Sequence, residues 1–214
     1  MPSPRRRTRR TRNAPQIRRE QIIDEAIRII GRRGYYGFGL QELAQRCGLS
    51  KAGLLYHFQS KDQLLSAVIE VLERREIQVM GPLAAQASAR PSAASVMNVL
   101  QTMVARGITE PELARFYTIM YSESLHPEHP AHAAFRARQA KVLDLFAKVL
   151  APYVAKPRMT ARQLFALLQG LALQWHRENQ SFDVVAAWGL AITTLVPGLA
   201  ASQQRRPRAA ANLK

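Results

Sequence analysis

Apolar residues recur at intervals of three and four along most of the chain, which is the spacing of one helix face. The first such run begins at Pro15 and ends before Gly34, which stands where a C-terminal cap belongs. Its apolar positions are Ile23, Ala26, Ile27 and Ile30. No stretch alternates as a strand would, so the pattern predicts an all-α fold of about nine helices.

A second short run carries Leu40, Leu43, Ala44 and Cys47 on one face. It stops at Gly48, a residue that can adopt the left-handed conformation of a tight turn. Ser50 has the side chain to cap a third helix, in which Leu54 and Phe58 lie one turn apart and face the core. Two short helices joined in this way are typical of a helix-turn-helix, whose second helix reads DNA.

The inward direction of Leu54 and Phe58 leaves the opposite face of the third helix for DNA. Small side chains there permit close approach to base edges, and Leu55 offers apolar contact to a thymine methyl. Donors on the same face suit phosphates, which position a helix without specifying sequence. The residues expected at the DNA are Ser50, Lys51, Ala52, Gly53, Leu55, Tyr56, His57 and Lys61.

The remaining pattern divides the chain into regions. We expect a disordered Arg-rich tail over residues 1–14, a DNA-binding domain over 15–60 and a connecting helix over 61–80. Gly81-Pro82 then predicts a looser connection, before a ligand-binding and dimerisation domain over 81–202 and a basic tail over 203–214. Within that domain the capping-box patterns Thr109/Glu112 and Thr160/Gln163 predict two helix starts.

Charge strengthens the prediction of a nucleic-acid partner. The chain carries 31 Lys and Arg against 15 Asp and Glu, a formal net charge of +16, and counterion release then favours a polyanion. The arginines that precede the first acidic residue, Glu20, are Arg5, Arg6, Arg7, Arg9, Arg10, Arg12, Arg18 and Arg19. Arg9, Arg10 and Arg12 either enter a minor groove or belong to a solvated tail that adds only non-specific affinity.

The cysteine count and the apolar stretches bear on the cellular compartment and on membrane association. A single cysteine, Cys47, excludes an internal disulfide and fits the reducing cytoplasm, and no apolar signal segment follows the basic N-terminus. The uncharged stretch from Val184 to Ser202 is about long enough to span a bilayer, yet Gly189 and Pro197 favour a buried interface helix. We therefore expect no membrane partner.

No catalytic or cofactor motif stands out. His126, His129 and His132 recur at threes, but the intervening prolines favour a polar helix start over a metal site. The sequence has no Gly-rich phosphate loop and no nucleophile elbow, so neither an enzyme nor a cofactor is expected. A membrane-surface protein, a non-specific nucleic-acid-binding protein and, more weakly, an enzyme remain the alternatives.

Residues 22–70 resemble the N-terminal domain of the tetracycline-repressor (TetR) family. The matching positions are Ala26, Gly34-Tyr35, Leu43-Ala44, Cys47-Gly48-Leu49-Ser50-Lys51, Leu54-Leu55-Tyr56-His57-Phe58, Ser60-Lys61 and Leu64-Leu65. The resemblance implies that Lys51 to His57 enter the major groove and that Lys61 contacts a phosphate. It further implies an obligate homodimer, and by default a repressor released from a palindromic operator by a small molecule.

The chain departs from the family pattern at three places. Phe38-Gly39 replaces the usual Thr or Ser cap of the second helix, Leu55 replaces a frequent aromatic residue, and Gln59 replaces a common proline. The first change removes a usual phosphate contact, and the second leaves the base preference open.

The family resemblance also implies a ligand cavity and a dimer face in the C-terminal helices. We expect the cavity to be lined by Met97, Leu100, Met103, Phe116, Tyr117, Met120, Tyr121, Glu123, Gln169, Trp175 and His176. Glu123 stands out because an acid there suits a cationic or hydroxylated ligand. The residues expected near the twofold seam are Leu168, Trp175 and Trp188.

Overall fold

The computed structural model describes residues 14–199, with side chains from residue 16 onward. Its nine α-helices within that range are α1 (Ala14–Arg33), α2 (Leu40–Arg46), α3 (Lys51–His57), α4 (Lys61–Ala89), α5 (Ala93–Thr109), α6 (Pro111–Glu123), α7 (His132–Leu150), α8 (Pro157–Arg177) and α9 (Val184–Leu195). Residues 14–199 contain no strand. The prediction of an all-α fold is confirmed.

The described residues form two hydrophobic cores. The N-terminal core joins α1, α2, α3 and the first half of α4, where Leu54, Phe58 and Leu64 are fully buried. Phe116 and Met120 of α6 and Phe135 of α7 belong to this same core. Because α6 contributes two fully buried side chains to it, the N-terminal helices are packed onto α6 rather than tethered by α4 alone.

The C-terminal core lies among the end of α4, α5, α7, α8 and α9. Leu100, Phe146 and Trp188 are fully buried there. The Trp188 indole N–H donates a 2.9 Å hydrogen bond to the Leu100 carbonyl, which ties α9 to α5. A buried indole needs such a partner, so this bond fixes the register between the two helices.

Three predicted helix limits are wrong. The α4 helix does not end at residue 80 but continues to Ala89, with Pro82 inside it. Proline lacks a backbone N–H, so the helix loses one hydrogen bond there but does not end. Thr109 is the last residue of α5 rather than a cap for α6, and its hydroxyl bonds back to the Ala105 and Arg106 carbonyls. The α8 helix begins at Pro157, so Thr160 lies inside its first turn.

Within the uncharged C-terminal stretch, Val184–Leu195 form the short helix α9, which is capped by Asp183, whose side chain accepts from the Ala186 N–H. Trp188 and Ile192 point into the C-terminal core, whereas Leu190 is 69% exposed. Within residues 14–199, every helix is too short or too polar to cross a membrane.

Candidate DNA-binding surface and ligand cavity

The turn between α2 and α3 has the geometry that its sequence predicts. Gly48 has φ +65°, and the Ser50 hydroxyl accepts a 3.0 Å hydrogen bond from the Gly53 N–H. Gly39 precedes α2 without any side-chain cap, as the departure at Phe38-Gly39 implies. The turn is therefore held by backbone and by one hydroxyl, which leaves the outer face of α3 free.

The outer face of α3 is the candidate DNA-binding surface. Lys51 and Ala52 are exposed, Tyr56 is 86% exposed, and Gly53, Leu55 and His57 are partly exposed. Leu54 and Phe58 lie on the opposite face, fully buried. The structure thus leaves every predicted recognition residue of α3 at least partly exposed, with Leu54 alone fully buried in this helix, and a major groove admits a helix of this size.

Two arginines of α1 support this surface from behind. Arg19 donates to the His57 carbonyl at 2.9 Å and lies 4.1 Å above the Phe58 ring. Arg18 donates to the Cys47 carbonyl at 3.3 Å. The sequence groups both with the basic tail, but the structure gives them the role of holding the ends of α2 and α3.

Lys61 is less available to a phosphate than expected. Its Nζ donates to the Phe38 carbonyl at 2.7 Å and lies 4.5 Å from the ring centres of both Tyr35 and Phe38. Burial lowers the pKa of this ammonium group. One of its three donors is thus already used, and the side chain mainly locks the start of α4 against the turn after α1.

The predicted minor-groove residues Arg9, Arg10 and Arg12 lie outside the described residues. Their two interpretations, groove insertion and a solvated tail, both stay predictions.

A cavity of about 460 Å³ lies between α4, α5, α6, α7 and α8. That volume is within the range of about 300–1,000 Å³ usual for small-molecule sites. Its wall is mostly apolar and includes five of the predicted residues: Met103, Tyr117, Tyr121, Gln169 and Trp175. Burial raises the pKa of Tyr117 to about 12 and also raises that of Tyr121, so both phenols keep their protons at neutral pH.

Charged side chains also line the cavity, and the sequence reasoning missed them. Glu76 of α4 lies 3.3 Å from an Arg106 guanidinium nitrogen and 3.5 Å from one of Arg138. The sequence does contain a signal for Arg138, because this residue falls at helical spacing between the core residues Phe135 and Val142. A charge on the apolar face of a helix indicates a buried polar site.

Comparisons with known proteins decide the family. The model for bacterial regulatory proteins of the tetR family matches residues 22–68. The HTH-type transcriptional regulator BetI of Burkholderia thailandensis is 30% identical over 183 residues, covering 82% of this chain and 90% of that protein. The chain belongs to the TetR family. It is a DNA-binding transcriptional regulator, and α2 and α3 are its helix-turn-helix.

Solved structures share the regulator's fold. FadR of Bacillus subtilis, crystallised with stearoyl-CoA, aligns with a TM-score of 0.68 at 16% identity over 84% of this chain and 98% of its own. NalD of Pseudomonas aeruginosa, the secondary repressor of the MexAB-OprM multidrug efflux pump, aligns with a TM-score of 0.66 at 20% identity over 84% and 94%. At these identities the likeness concerns the fold alone.

The regulator's cavity excludes six of the residues predicted to line it. Met97 and Leu100 are buried in the C-terminal core, and Phe116 and Met120 are buried in the N-terminal core. These four follow the same helical spacing as the true lining residues but face their neighbours in the core. His176 lies against Trp175 with ring centres 5.2 Å apart and does not line the cavity. Glu123, the sixth, also lies outside it.

Glu123 instead joins α6 to the DNA-binding domain. Its carboxylate accepts a 2.7 Å hydrogen bond from the Tyr35 N–H, and it lies 3.8 Å from Nε2 of the buried His129. Gly34, with φ +72°, leaves room for it, because a Cβ there would stand 1.8 Å from a Glu123 oxygen. Glu123, predicted to meet a cationic or hydroxylated ligand, thus binds backbone and does not line the cavity.

The three histidines in the loop before α7 and at its first residue also have structural partners. The His126 and His129 Nδ1 atoms accept from the backbone N–H groups of Glu128 and Ala131, and His132 Nδ1 lies 2.8 Å from the Ser124 carbonyl. Among residues 16–199, no three side chains of metal-ligating type converge on one point. The loop is thus built on histidine–backbone contacts.

Two of the predicted dimer residues lie inside the subunit. Trp188 is fully buried against α5, and Trp175 is 7% exposed and faces the cavity. Leu168 is only partly exposed and also lines the cavity. The exposed large apolar side chains of α8 and α9 are instead Met159, Leu167, Leu173, Val185 and Leu190, of which Leu173 also borders the cavity.

Proposed function

We propose that this regulator is a homodimeric repressor that leaves a palindromic operator when a small molecule occupies the cavity. Helix α6 carries the proposal because it touches both sites. One of its faces presents Tyr117, Thr118 and Tyr121 to the cavity, and another contributes Phe116 and Met120 to the N-terminal core. A ligand that shifts α6 therefore shifts the DNA-binding domain.

The proposed action is binding alone, in the cytoplasm, with no catalytic step and no cofactor. Supporting this, the cavity wall has a single carboxylate among its described residues, and Arg106 and Arg138 pair with it. A general acid or base needs a group that is free to exchange a proton with the substrate.

Filling the cavity tests the link between the two sites without knowledge of the effector. Thr118→Trp on α6 places a large side chain in the cavity, whereas the control Thr118→Val leaves it open. The DNA probe is first obtained by selecting bound genomic fragments, and affinity is then measured by fluorescence anisotropy. We expect Thr118→Trp to bind about tenfold more weakly than the wild type, a coupling of ordinary allosteric size. A folded Thr118→Trp protein with unchanged affinity contradicts the proposal.

The same assay tests the recognition surface. Lys51→Ala should lower the slope of log affinity against log salt by about one, because one phosphate contact is lost. The control is Lys148→Ala, an exposed lysine near the end of α7. Equal slopes for both variants contradict the assignment of Lys51.

The dimer is tested through the outer faces of α8 and α9. Leu190 is 69% exposed, more than other large apolar side chains on that surface, and a dimer would cover it. We expect Leu190→Glu to yield a monomer in analytical ultracentrifugation. The control Ile77→Glu changes an equally exposed residue of α4, which is 66% exposed, and should stay dimeric. A dimer of unchanged affinity in Leu190→Glu contradicts this interface.

A further inference from the structure

The polar end of the cavity is an incompletely paired group of side chains, Glu76, Arg106, Tyr121 and Arg138. The side chains of Glu76, Arg106 and Arg138 are 21%, 17% and 14% exposed. Glu76 is shared between the two arginines, at 3.3 Å and 3.5 Å. Arg106 has a second partner in Glu110, 3.5 Å away at the solvent edge, whereas Glu76 is the only carboxylate within ion-pair distance of Arg138 among the described residues.

Two buried polar atoms in this group lack hydrogen-bond partners within the described residues. They are the Arg138 Nε and the Tyr121 hydroxyl oxygen. The Arg138 guanidinium lies near the Tyr121 hydroxyl, and both its charge and its donor character oppose the rise in the Tyr121 pKa that burial causes. Their contact falls short of full hydrogen-bond geometry, so the Nε and the hydroxyl oxygen are still without a partner. A buried polar group without a partner costs free energy, so both atoms favour a ligand that satisfies them.

The chemistry of these atoms selects an acceptor. Arginine is charged at all accessible pH values and only donates hydrogen bonds, and the protonated Tyr121 phenol can donate as well. The guanidinium carbon of Arg138 lies over the Tyr117 ring, 4.1 Å from its centre, and this cation–π contact restricts where its donors can point. A carboxylate accepts from such a donor set better than a neutral oxygen does.

The cavity wall also disfavours a cation. Glu76 is the single acidic residue among its described lining residues, and it already pairs with two guanidinium groups. A cationic ligand would approach Arg106 and Arg138 with no free carboxylate to offset them. Most of the remaining wall, including Met103, Phe165 and Trp175, is apolar and suits a hydrocarbon or aromatic body.

We propose that the cavity binds an amphipathic carboxylate, with its headgroup on Arg138 and Tyr121 and its apolar body against the α5 and α8 wall. The inference rests on the cavity being the effector site proposed above. It adds the chemical class of the effector and names the two residues that recognise its charge.

Three probes of equal chain length test the charge preference of the full-length protein: octanoate, 1-octanol and octyltrimethylammonium. Binding is measured by isothermal titration calorimetry. We expect octanoate to bind most tightly, and Arg138→Met to weaken octanoate at least tenfold while changing 1-octanol little. The control is Arg136→Met, which removes an exposed arginine from the same helix and should leave all three affinities unchanged.

Tyr121→Phe provides a second variant that keeps the cavity shape. It should weaken octanoate about threefold to tenfold, the effect of one lost hydrogen bond. If Arg138→Met does not fold, the carboxylate preference is tested by Tyr121→Phe and by the ranking of the three probes on the wild type. Equal or tighter binding of 1-octanol or octyltrimethylammonium overturns the inference, as does no binding of any probe, or octanoate binding unaffected by both variants.

DNA release is scored separately, by anisotropy of a selected genomic fragment with octanoate added. Octanoate binding that depends on Arg138 but leaves DNA affinity unchanged supports the carboxylate site and contradicts the proposed release. Weaker DNA binding in Thr118→Trp, together with a wild type that does not bind octanoate, supports the release and contradicts the carboxylate site. The two proposals therefore fail by different observations.

Discussion

The contact between Glu123 and the turn after α1 can be tested by a double-mutant cycle with Gly34. A Cβ at Gly34 would stand 1.8 Å from a Glu123 carboxylate oxygen, so Gly34→Ala displaces that side chain from the Tyr35 N–H. The substitution also places alanine at φ +72°. The two single changes therefore share one loss, the Glu123–Tyr35 hydrogen bond.

The magnitudes follow from this geometry. A hydrogen bond to a charged group contributes about 1.5–3 kcal/mol, and the 28% exposure of the Glu123 side chain favours the lower end. A left-handed alanine costs about 1–2 kcal/mol. We expect Glu123→Ala to lower the free energy of unfolding by about 1.5–2 kcal/mol, and Gly34→Ala by about 3 kcal/mol. The double variant should be no less stable than Gly34→Ala alone.

Urea denaturation followed by circular dichroism measures all four proteins of the cycle. Glu128→Ala is the control, since it removes an exposed carboxylate from the loop that follows Glu123 and should be nearly neutral. If the effects of Gly34→Ala and Glu123→Ala simply add, the Glu123 carboxylate does not hold this turn and the reasoning is refuted.

Three further predictions concern single contacts. Ser50→Ala, which removes the cap on the Gly53 N–H, should cost about 1 kcal/mol in urea denaturation, and an unchanged midpoint would contradict the role of the cap. Burial lowers the pKa of His129 below its ordinary 6.5, so the unfolded chain takes up the proton first and the free energy of unfolding should fall as pH drops below 6.5. His129→Asn should make the free energy of unfolding depend less steeply on pH. If the wild type and the variant show the same dependence from pH 7 to 5, other groups cause it. Trp188→Phe leaves the Leu100 carbonyl without its indole donor and should lower the free energy of unfolding in guanidinium by about 1–3 kcal/mol. The mass of the oligomer should stay the same. If the variant is instead a monomer, Trp188 belongs to the subunit interface.

The sequence by itself determined the helix-turn-helix. Its signals are local: helical spacing of Leu54 and Phe58, a turn glycine with positive φ at Gly48, and the Ser50 cap. Each acts over a few residues, so neighbouring side chains and backbone sterics decide the result before any distant packing. The same spacing predicted the all-α class, and the family resemblance added five residues of the cavity wall.

Only the tertiary structure decided which apolar stripe faces which neighbour. Phe116 and Tyr117 are adjacent in α6, yet the first enters the N-terminal core and the second lines the cavity. Glu123 and Tyr35 are 88 positions apart, and Glu76 and Arg106 are 30 apart. Helical periodicity marks a side chain as inward, but it contains no information on the partner helix. That partner is chosen when several helices pack together at once, which is why the charged end of the cavity and the Glu123 contact emerged from the fold.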